Sequence, residues 1–276
     1  MSTISPADVK KLRDITGAGM MDCKAALEES GGDFDKAIEY LRKKGQKLSI
    51  KRADRDAKEG VVIALVSDDK TRGVIVRLSC ETDFVAKNQD FIDLTHSFAK
   101  IALDKMPKSL DDLLNAPMNN LTVADKVSEQ VGVIGEKIEL AQYEYLQAAM
   151  VAPYIHMGNR AAVLVGLNKA NGSFYEPGRD VAMQVAAMKP IAVDEHSVDA
   201  SIVEKEIEIG KEQARKEGKP ENMLENIAKG KLRKFFEETT LLNQSFVKDN
   251  KKTIRQFLQD IDKELTVTAF RHVALG

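Results

Sequence analysis

Tryptophan is absent from these 276 residues, and cysteine occurs only at Cys23 and Cys80. Two distant thiols with no CxxC spacing exclude a disulfide scaffold and a cysteine-based zinc site. They fit a reducing compartment, where thiols serve as small apolar side chains. No apolar run approaches the roughly 20 residues of a membrane-spanning helix, so no membrane partner is expected. The opening Met1-Ser2-Thr3-Ile4-Ser5-Pro6 has neither a basic start nor an apolar stretch, which predicts no secretory signal and a cytoplasmic location. An excess of one charge is also missing. The 41 basic and 43 acidic residues leave a net charge of −2 and no electrostatic ground for direct nucleic-acid binding.

The usual apparatus of an enzyme is missing as well. No window fits the phosphate loop GxxxxGK[ST], and Asn168-Lys169-Ala170-Asn171 resembles a guanine-reading motif only superficially, because its last position is not Asp. His96, His156, His196 and His272 fall in four separate segments without metal-ligand spacing. No GxSxG or Cys-His signature occurs. The reading is a non-enzymatic binding or regulatory protein with no metal and no cofactor.

What is present is 43% hydrophobic and 30% charged, enough apolar material for a substantial core. Ser5 is a good N-cap, Pro6 suits the first helical position and Asp8 completes a capping-box spacing, so a first helix is predicted with Val9, Leu12 and Ile15 as its apolar stripe. Gly17 and Gly19 break it. A second helix carries Cys23, Ala26 and Leu27 and stops at Gly31-Gly32. A third, capped by Asp33, carries Phe34, Ala37, Ile38 and Leu41 and is expected to close at Gly45. Residues 1–47 thus read as a small three-helix domain. Residues 48–58, rich in Lys, Arg, Asp and Ala, read as a solvated linker.

The pattern then turns to β. Residues 61–66 and 73–78 are β-branched runs joined by a polar turn, an antiparallel hairpin. Helical spacing follows over 91–103 and 123–131. A similar order recurs: apolar alternation over 138–151, a strand over 161–167 and a helix over 180–188. Arg72-Gly73-Val74-Ile75-Val76 compares with Arg160-Ala161-Ala162-Val163-Leu164-Val165. The fold class is therefore α+β, with two related core subdomains over 59–137 and 138–276. Within the second, 198–237 reads as an inserted antiparallel helical hairpin broken at Gly218-Lys219-Pro220, with Ile202, Ile207 and Ile209 facing Met223, Leu224, Ile227 and Leu232. The tail predicts a helix bearing Ile254, Phe257 and Leu258 and a last strand at 267–273.

The informative segment is Glu81-Thr82-Asp83-Phe84-Val85-Ala86-Lys87-Asn88, between the hairpin and the next helix. Two readings stand open. Thr82 or Asp83 can cap that helix while Phe84 fills the core, or an apolar ring flanked by an acid can sit on an exposed turn as a binding element. Met20 and Met21 are likewise open. Either can pack inside the bundle, but two adjacent residues cannot share one helical face, so at least one is expected at the surface.

The run Thr82 to Asn88 closely resembles a signature of the elongation factor Ts family. So does Leu12-Arg13-Asp14-Ile15-Thr16-Gly17-Ala18-Gly19-Met20-Met21-Asp22-Cys23-Lys24-Ala25-Ala26-Leu27. Shorter matches are Ile134-Gly135-Glu136, His156 with Arg160 at a spacing one residue different, Ala182-Met183-Gln184-Val185-Ala186-Ala187 and Gln244-Ser245-Phe246-Val247. The resemblance covers nearly the whole chain. It implies a ubiquitin-associated-like N-terminal domain, two antiparallel-sheet core subdomains and an inserted helical hairpin. It also implies nucleotide exchange on the translation GTPase EF-Tu, in its GDP and nucleotide-free forms. By residue, it implies that Thr82, Asp83, Phe84 and Val85 enter the GTPase and dislodge its Mg²⁺. Leu12, Met20, Met21, Ile134, Gly135 and His156 become docking positions. The hairpin is left to form a homodimer or a 2:2 complex, to touch EF-Tu, or both. Some members carry a further helix beyond the position of Phe270-Arg271-His272, and its contacts are not expected here.

Two other readings are weighed against this. A peptide- or ubiquitin-binding adaptor would use the N-terminal bundle and leave the 82–88 motif unexplained. A nucleic-acid binder would use Lys51, Arg52 and Arg55 against a near-neutral background.

Overall fold

Ser5 begins the first helix as predicted. In the computed structural model, which describes residues 4–276, its hydroxyl accepts from the Asp8 amide while the Asp8 carboxylate accepts from the Ser5 amide. The expectation about a leader that rests on Met1, Ser2 and Thr3 lies outside the described residues. Helices α1 (Pro6–Thr16), α2 (Met20–Glu29) and α3 (Phe34–Lys51) form the bundle, with Val9, Leu12, Ala18, Cys23, Ala26, Leu27 and Ala37 as its core. Ile15, expected on the apolar stripe, is instead exposed.

Gly45 does not close α3, which continues to Lys51. The glycine is there for a tertiary reason. A Cβ on Gly45 would lie 2.7 Å from the Ser128 carbonyl oxygen, and one on Gly132 would lie 2.9 Å from the Gly45 Cα. Two glycines let α3 cross a helix of the core at backbone contact, which no side chain would permit. The predicted linker shrinks accordingly. Residues 48–51 are helical, and Arg52 and Arg55 are both engaged with Glu81, Arg52 largely covered and Arg55 still half exposed.

Strands β1 (Glu59–Val66) and β2 (Arg72–Cys80) form the expected antiparallel hairpin. After it come α4 (Asp83–Ala86), α5 (Gln89–Lys105), α6 (Leu110–Leu114), the short pair β3 (Pro117–Met118) and β4 (Leu121–Thr122), and α7 (Val123–Ile134), the helix that α3 crosses. Strand β5 (Glu139–Gln147) then pairs antiparallel with β2. A division of the core at 137/138 would place this strand in the second subdomain, but it completes the first sheet, ordered β1-β2-β5. The sheets change over in the turn at Ala148 and Ala149.

The second sheet is built from β6 (Met150–Ile155), β7 (Ala161–Leu167) and, after a long excursion, the last strand. That excursion holds α8 (Tyr175–Met188), α9 (Ala200–Lys216), α10 (Glu221–Thr239), β8 (Ser245–Phe246), β9 (Asp249–Thr253) and α11 (Ile254–Ile261) before β10 (Val267–Ala274) closes the sheet in the order β10-β7-β6. Strands β2 and β7, which begin at Arg72 and directly after Arg160 in the internal comparison, are each the centre of a sheet. The two sheets face each other through Val62, Ala64, Ile75, Val151, Ala162, Leu164 and Val273. Their outer faces carry Val61, Ile63, Val74 and Val76 against α5 and α7, and Val163, Val165 and Leu167 against α8. Burial on both faces is why the central strands read as continuous apolar runs rather than alternating ones.

The helical hairpin forms where expected, but its seam differs. The buried residues are Gly210 and Ala214 on α9 and Leu224 and Ala228 on α10, with the isoleucines only partly covered. Small residues bring the two backbones close, and the longer side chains flank the contact. At its base the chain is stapled. Leu241 N–H donates to the Ala192 carbonyl and Ile191 N–H to the Thr239 carbonyl, each at 2.9 Å. The resemblance motifs around Gln184 and Gln244 meet in the core, where the Gln184 amide donates to the Gln244 side chain at 3.2 Å and accepts from the Val247 N–H at 2.9 Å.

Both thiols are free and buried. Cys80 donates to the Thr82 carbonyl at 3.2 Å, and burial pushes its thiol up to about 12. An unfolded thiol ionises near ~8.5. The contribution of this site to stability is thus fully present below that value and is lost as pH rises toward the folded value. Native protein is expected to resist dithiobis-nitrobenzoate at pH 8 and to react on unfolding. Urea melts at pH 8 and 10.5 should show a fall that Cys80→Ala reduces, and an equal fall in the variant would assign the loss to other groups.

Candidate interaction site at the Phe84 turn

The turn after β2 is held by carboxylates from elsewhere in the chain. Glu136, just beyond α7, accepts from the Glu81 amide at 3.1 Å, the Thr82 amide at 3.0 Å and the Thr82 hydroxyl at 2.7 Å. Glu81 in turn accepts from the Lys137 amide at 2.6 Å, Arg52 at 2.8 Å and Arg55 at 3.1 Å. The Lys137 amide is the main cause, with both guanidiniums assisting, of a Glu81 carboxyl held below its ordinary range. Lys137 Nζ closes the cluster by donating to the Ala53 and Arg55 carbonyls at 2.8 and 3.0 Å. The end of α3, the end of β2 and the end of α7 are thereby tied at one place.

From that fixed base α4 makes a single helical turn. Thr82 stands at its N-terminus but gives no side-chain cap, and α5 is capped by Asn88, whose side chain accepts from the Asp90 amide at 2.8 Å. Asp83 pairs with Lys87 at 2.6 Å, and the hydrogen bond from Lys87 lowers its carboxyl. Val85 packs partly against the first core cluster. Phe84 does the opposite. It is 83% exposed, so the capping-and-core reading of this segment fails at both points. A large aromatic side chain is presented to solvent on a rigid, multiply hydrogen-bonded mount, with an acid beside it.

The other predicted positions divide. Ile134 and Gly135 end α7 directly before Glu136, with Gly135 in the left-handed conformation (φ 80°) that turns the chain toward the Thr82 anchor. Both therefore belong to the Phe84 neighbourhood. His156 is exposed at the β6–β7 turn, its ring 3.3 Å from the Tyr154 hydroxyl, beside Met157, which is 87% exposed. That turn is connected to the same end of the first sheet, since Arg160 pairs at 2.7 Å with Glu59, the residue opposite Cys80 in the ladder. Met20 and Met21 are 44% and 75% exposed at the start of α2, while Cys23, Ala26 and Leu27 face inward. Leu12 is a correction. It is fully buried in the bundle and offers no surface to a partner.

Sequence reasoning missed the part played by Glu136. Its only signal was a place in a short motif, 55 residues from the amide it accepts from. Glu136→Ala leaves two backbone N–H groups without their acceptor, at about 1–3 kcal/mol. Denaturant melts are expected to show a loss in that range and a smaller one for Glu136→Gln. Equal stability of all three proteins would mean that water replaces the carboxylate.

The family profile described as elongation factor TS matches residues 81–276. Over 276 residues, with all of both chains covered, the protein is 53% identical to elongation factor Ts of Christiangramia forsetii. It is 51% identical over 276 residues to that of Flavobacterium psychrophilum, again over all of both chains. Against elongation factor Ts of Prosthecochloris aestuarii the identity is 44% over 287 aligned residues, with 100% of each chain covered. Full-length likeness at these levels, together with a profile match from the Phe84 turn through the whole second sheet, places the chain in the elongation factor Ts family, and so among the translation elongation factors.

Proposed function

We propose that the chain is a non-enzymatic guanine nucleotide exchange factor for EF-Tu. It binds the GDP form, displaces Mg²⁺, promotes GDP release and holds the nucleotide-free GTPase until GTP binds. The observation that carries this is the exposed Phe84 on a mount fixed by Glu136. A protein does not hold a bare aromatic ring in water on a rigid turn for its own stability.

The physics runs through the metal. Mg²⁺ requires near-ideal octahedral geometry, so a small displacement of its supporting groups is costly. Phe84 wedges into the GTPase domain, and its burial supplies roughly 1.5–3 kcal/mol toward displacing partner side chains. Asp83 competes for donors near the metal, while Thr82 and Val85 seat the turn. With the cation gone the phosphates lose their largest countercharge and GDP leaves. By reciprocity, a factor that weakens GDP binding is itself weakened by GDP, typically by ~1–3 kcal/mol. The factor therefore holds nucleotide-free EF-Tu best.

Met20 and Met21 dock the bundle on the same domain, where flexible thioethers suit an adaptable contact. Ile134, Gly135 and His156 add contacts around the wedge. We read the bundle as ubiquitin-associated-like, the setting as cytoplasmic, and the α9–α10 hairpin as free to dimerise or to touch EF-Tu. No helix among the described residues is long and apolar enough to cross a membrane.

The test is stopped-flow release of a fluorescent GDP analogue from cognate EF-Tu, with and without the chain. Strong acceleration at substoichiometric amounts is expected. No acceleration would overturn the proposal.

A further inference from the structure

A cavity of about 260 Å³ lies between the N-terminal bundle and the core. Its apolar wall is Ile15, Ile38 and Leu41 from the bundle and Met118, Leu121 and Val133 from the core. Arg42 also lines it. The Arg42 Nε is buried and has no hydrogen-bond partner, and among the described residues the side chain forms no ion pair.

The acids nearby are committed elsewhere. Asp22 pairs with Lys44 at 2.6 Å and Glu129 with Lys126 at 2.7 Å, which also accounts for both lysines of the lining. Asp125 caps α7 by accepting from the Thr122 amide and hydroxyl, and Glu39 pairs with Lys43 at 2.7 Å. The lining thus combines an apolar wall, the polar side chains of Thr16, Asn119 and Asn120, and a guanidinium that no carboxylate pairs directly, although its charge is felt at longer range by Glu39 and Asp125. Buried polar atoms almost always have partners, and a charged donor left without one is costly.

We propose that this cavity is a binding site for a small amphipathic monocarboxylate, its acyl or aryl body against the apolar wall and its carboxylate on Arg42. The orphaned Nε–H calls for one anionic acceptor, and because Glu39 and Asp125 already share part of the Arg42 charge, a monoanion fits better than a dianion such as phosphate. Arginine suits the task because its planar fork meets a carboxylate with two parallel hydrogen bonds. The volume is just under the roughly 300–1,000 Å³ of drug-sized sites. It admits a single short chain and not a partner's helix of about 10–12 Å diameter. The site uses neither the Phe84 turn nor the exposed methionines, so it stands apart from the exchange mechanism. Because both units supply its walls, an occupant favours the seated bundle.

Octanoate and 1-octanol are the probes, titrated calorimetrically into the full chain, with amide NMR shifts locating the site. Octanoate is expected to bind once per chain, at least tenfold tighter than octanol, with shifts centred on Leu41, Met118, Leu121 and Val133. Arg42→Met should abolish the preference while still binding octanol, which shows the cavity intact. Arg42→Lys should keep part of the preference. Absence of saturable octanoate binding, a preference retained by Arg42→Met, or shifts centred elsewhere would each overturn the proposal. So would an Arg42→Met variant that loses EF-Tu affinity while octanoate never binds, because the cavity would then be a partner contact.

Discussion

Phe84→Ala is expected to cut the acceleration of GDP release from EF-Tu by about 10- to 100-fold while leaving the fold untouched. The size follows from burial. Seating a phenyl ring in a partner gives roughly 1.5–3 kcal/mol, and every 1.4 kcal/mol is about tenfold. The unchanged fold follows from the 83% exposure, which leaves the ring little intramolecular packing to lose. Substitutions at such sites usually stay within about 0.5 kcal/mol. Phe84→Leu, which keeps apolar volume but not the ring, should fall between. The decisive comparison is the maximal exchange rate at saturating factor against the thermal midpoint. A variant that exchanges like the parent would remove the wedge and move the mechanism to Asp83 and the docking contacts. A variant that exchanges poorly because it has unfolded would show that the ring has a structural role.

Gly45→Val should be the most damaging single change outside the site, costing on the order of 3 kcal/mol. Its Cβ would meet the Ser128 carbonyl oxygen at 2.7 Å and its methyls would meet α7. The obstacle is helix backbone, which cannot swing aside as a side chain can, so the helices must separate. Overpacking of this kind typically costs 1–3 kcal/mol and occasionally more. The consequence is also functional, because Arg52 at the end of α3 grips Glu81 beside the Phe84 turn. A displaced bundle loosens that grip and moves Met20 and Met21 away from their register with the ring. We expect the half-saturating concentration for exchange to rise at least tenfold. Lys47→Ala, an exposed change on the same helix, should do neither. Chemical denaturation of both variants, read beside their exchange titrations, checks the pair. A Gly45→Val protein as stable as the parent would mean that the helix crossing is not held as described.

The features legible in the sequence were the local ones. Ser5 and Asp8 announce a helix start because both partners of the capping box lie within one turn, and the residues of β1 and β2 announce a hairpin because the connecting turn is short and polar. What was illegible depends on residues far apart. Gly45 carries the same local signal as a helix stop, and only Gly132 on another helix explains it. Strand β5 has strand-like patterning, but nothing in its own residues says which of two sheets it joins. The isoleucines of the hairpin look like a seam until Gly210 and Ala228 are seen to set the distance between its helices. Leu12 sits in a signature beside exposed methionines yet faces the other way. For the candidate site, the Thr82 to Asn88 motif marked the place. Neither the exposure of Phe84 nor its support by Glu136 could be read from the motif, since each depends on which surfaces the rest of the chain leaves open.

The staple at Ala192 and Thr240 bears on how the chain finds its fold. Strand β7 ends at Leu167 and its second neighbour β10 begins at Val267, so the second sheet must be closed across a separation of a hundred residues. Contacts so far apart in sequence slow folding, because chain entropy is surrendered before they form. The two hairpin helices need only each other, and once paired they bring residues 192 and 240 together. For the rest of the molecule the hairpin then behaves as a short bend, and the connection that remains to be closed is that of α8, β8, β9 and α11. The hairpin arms can lengthen or shorten by whole helical turns at little kinetic cost to the sheet, which makes this the region where the architecture best tolerates changes of length.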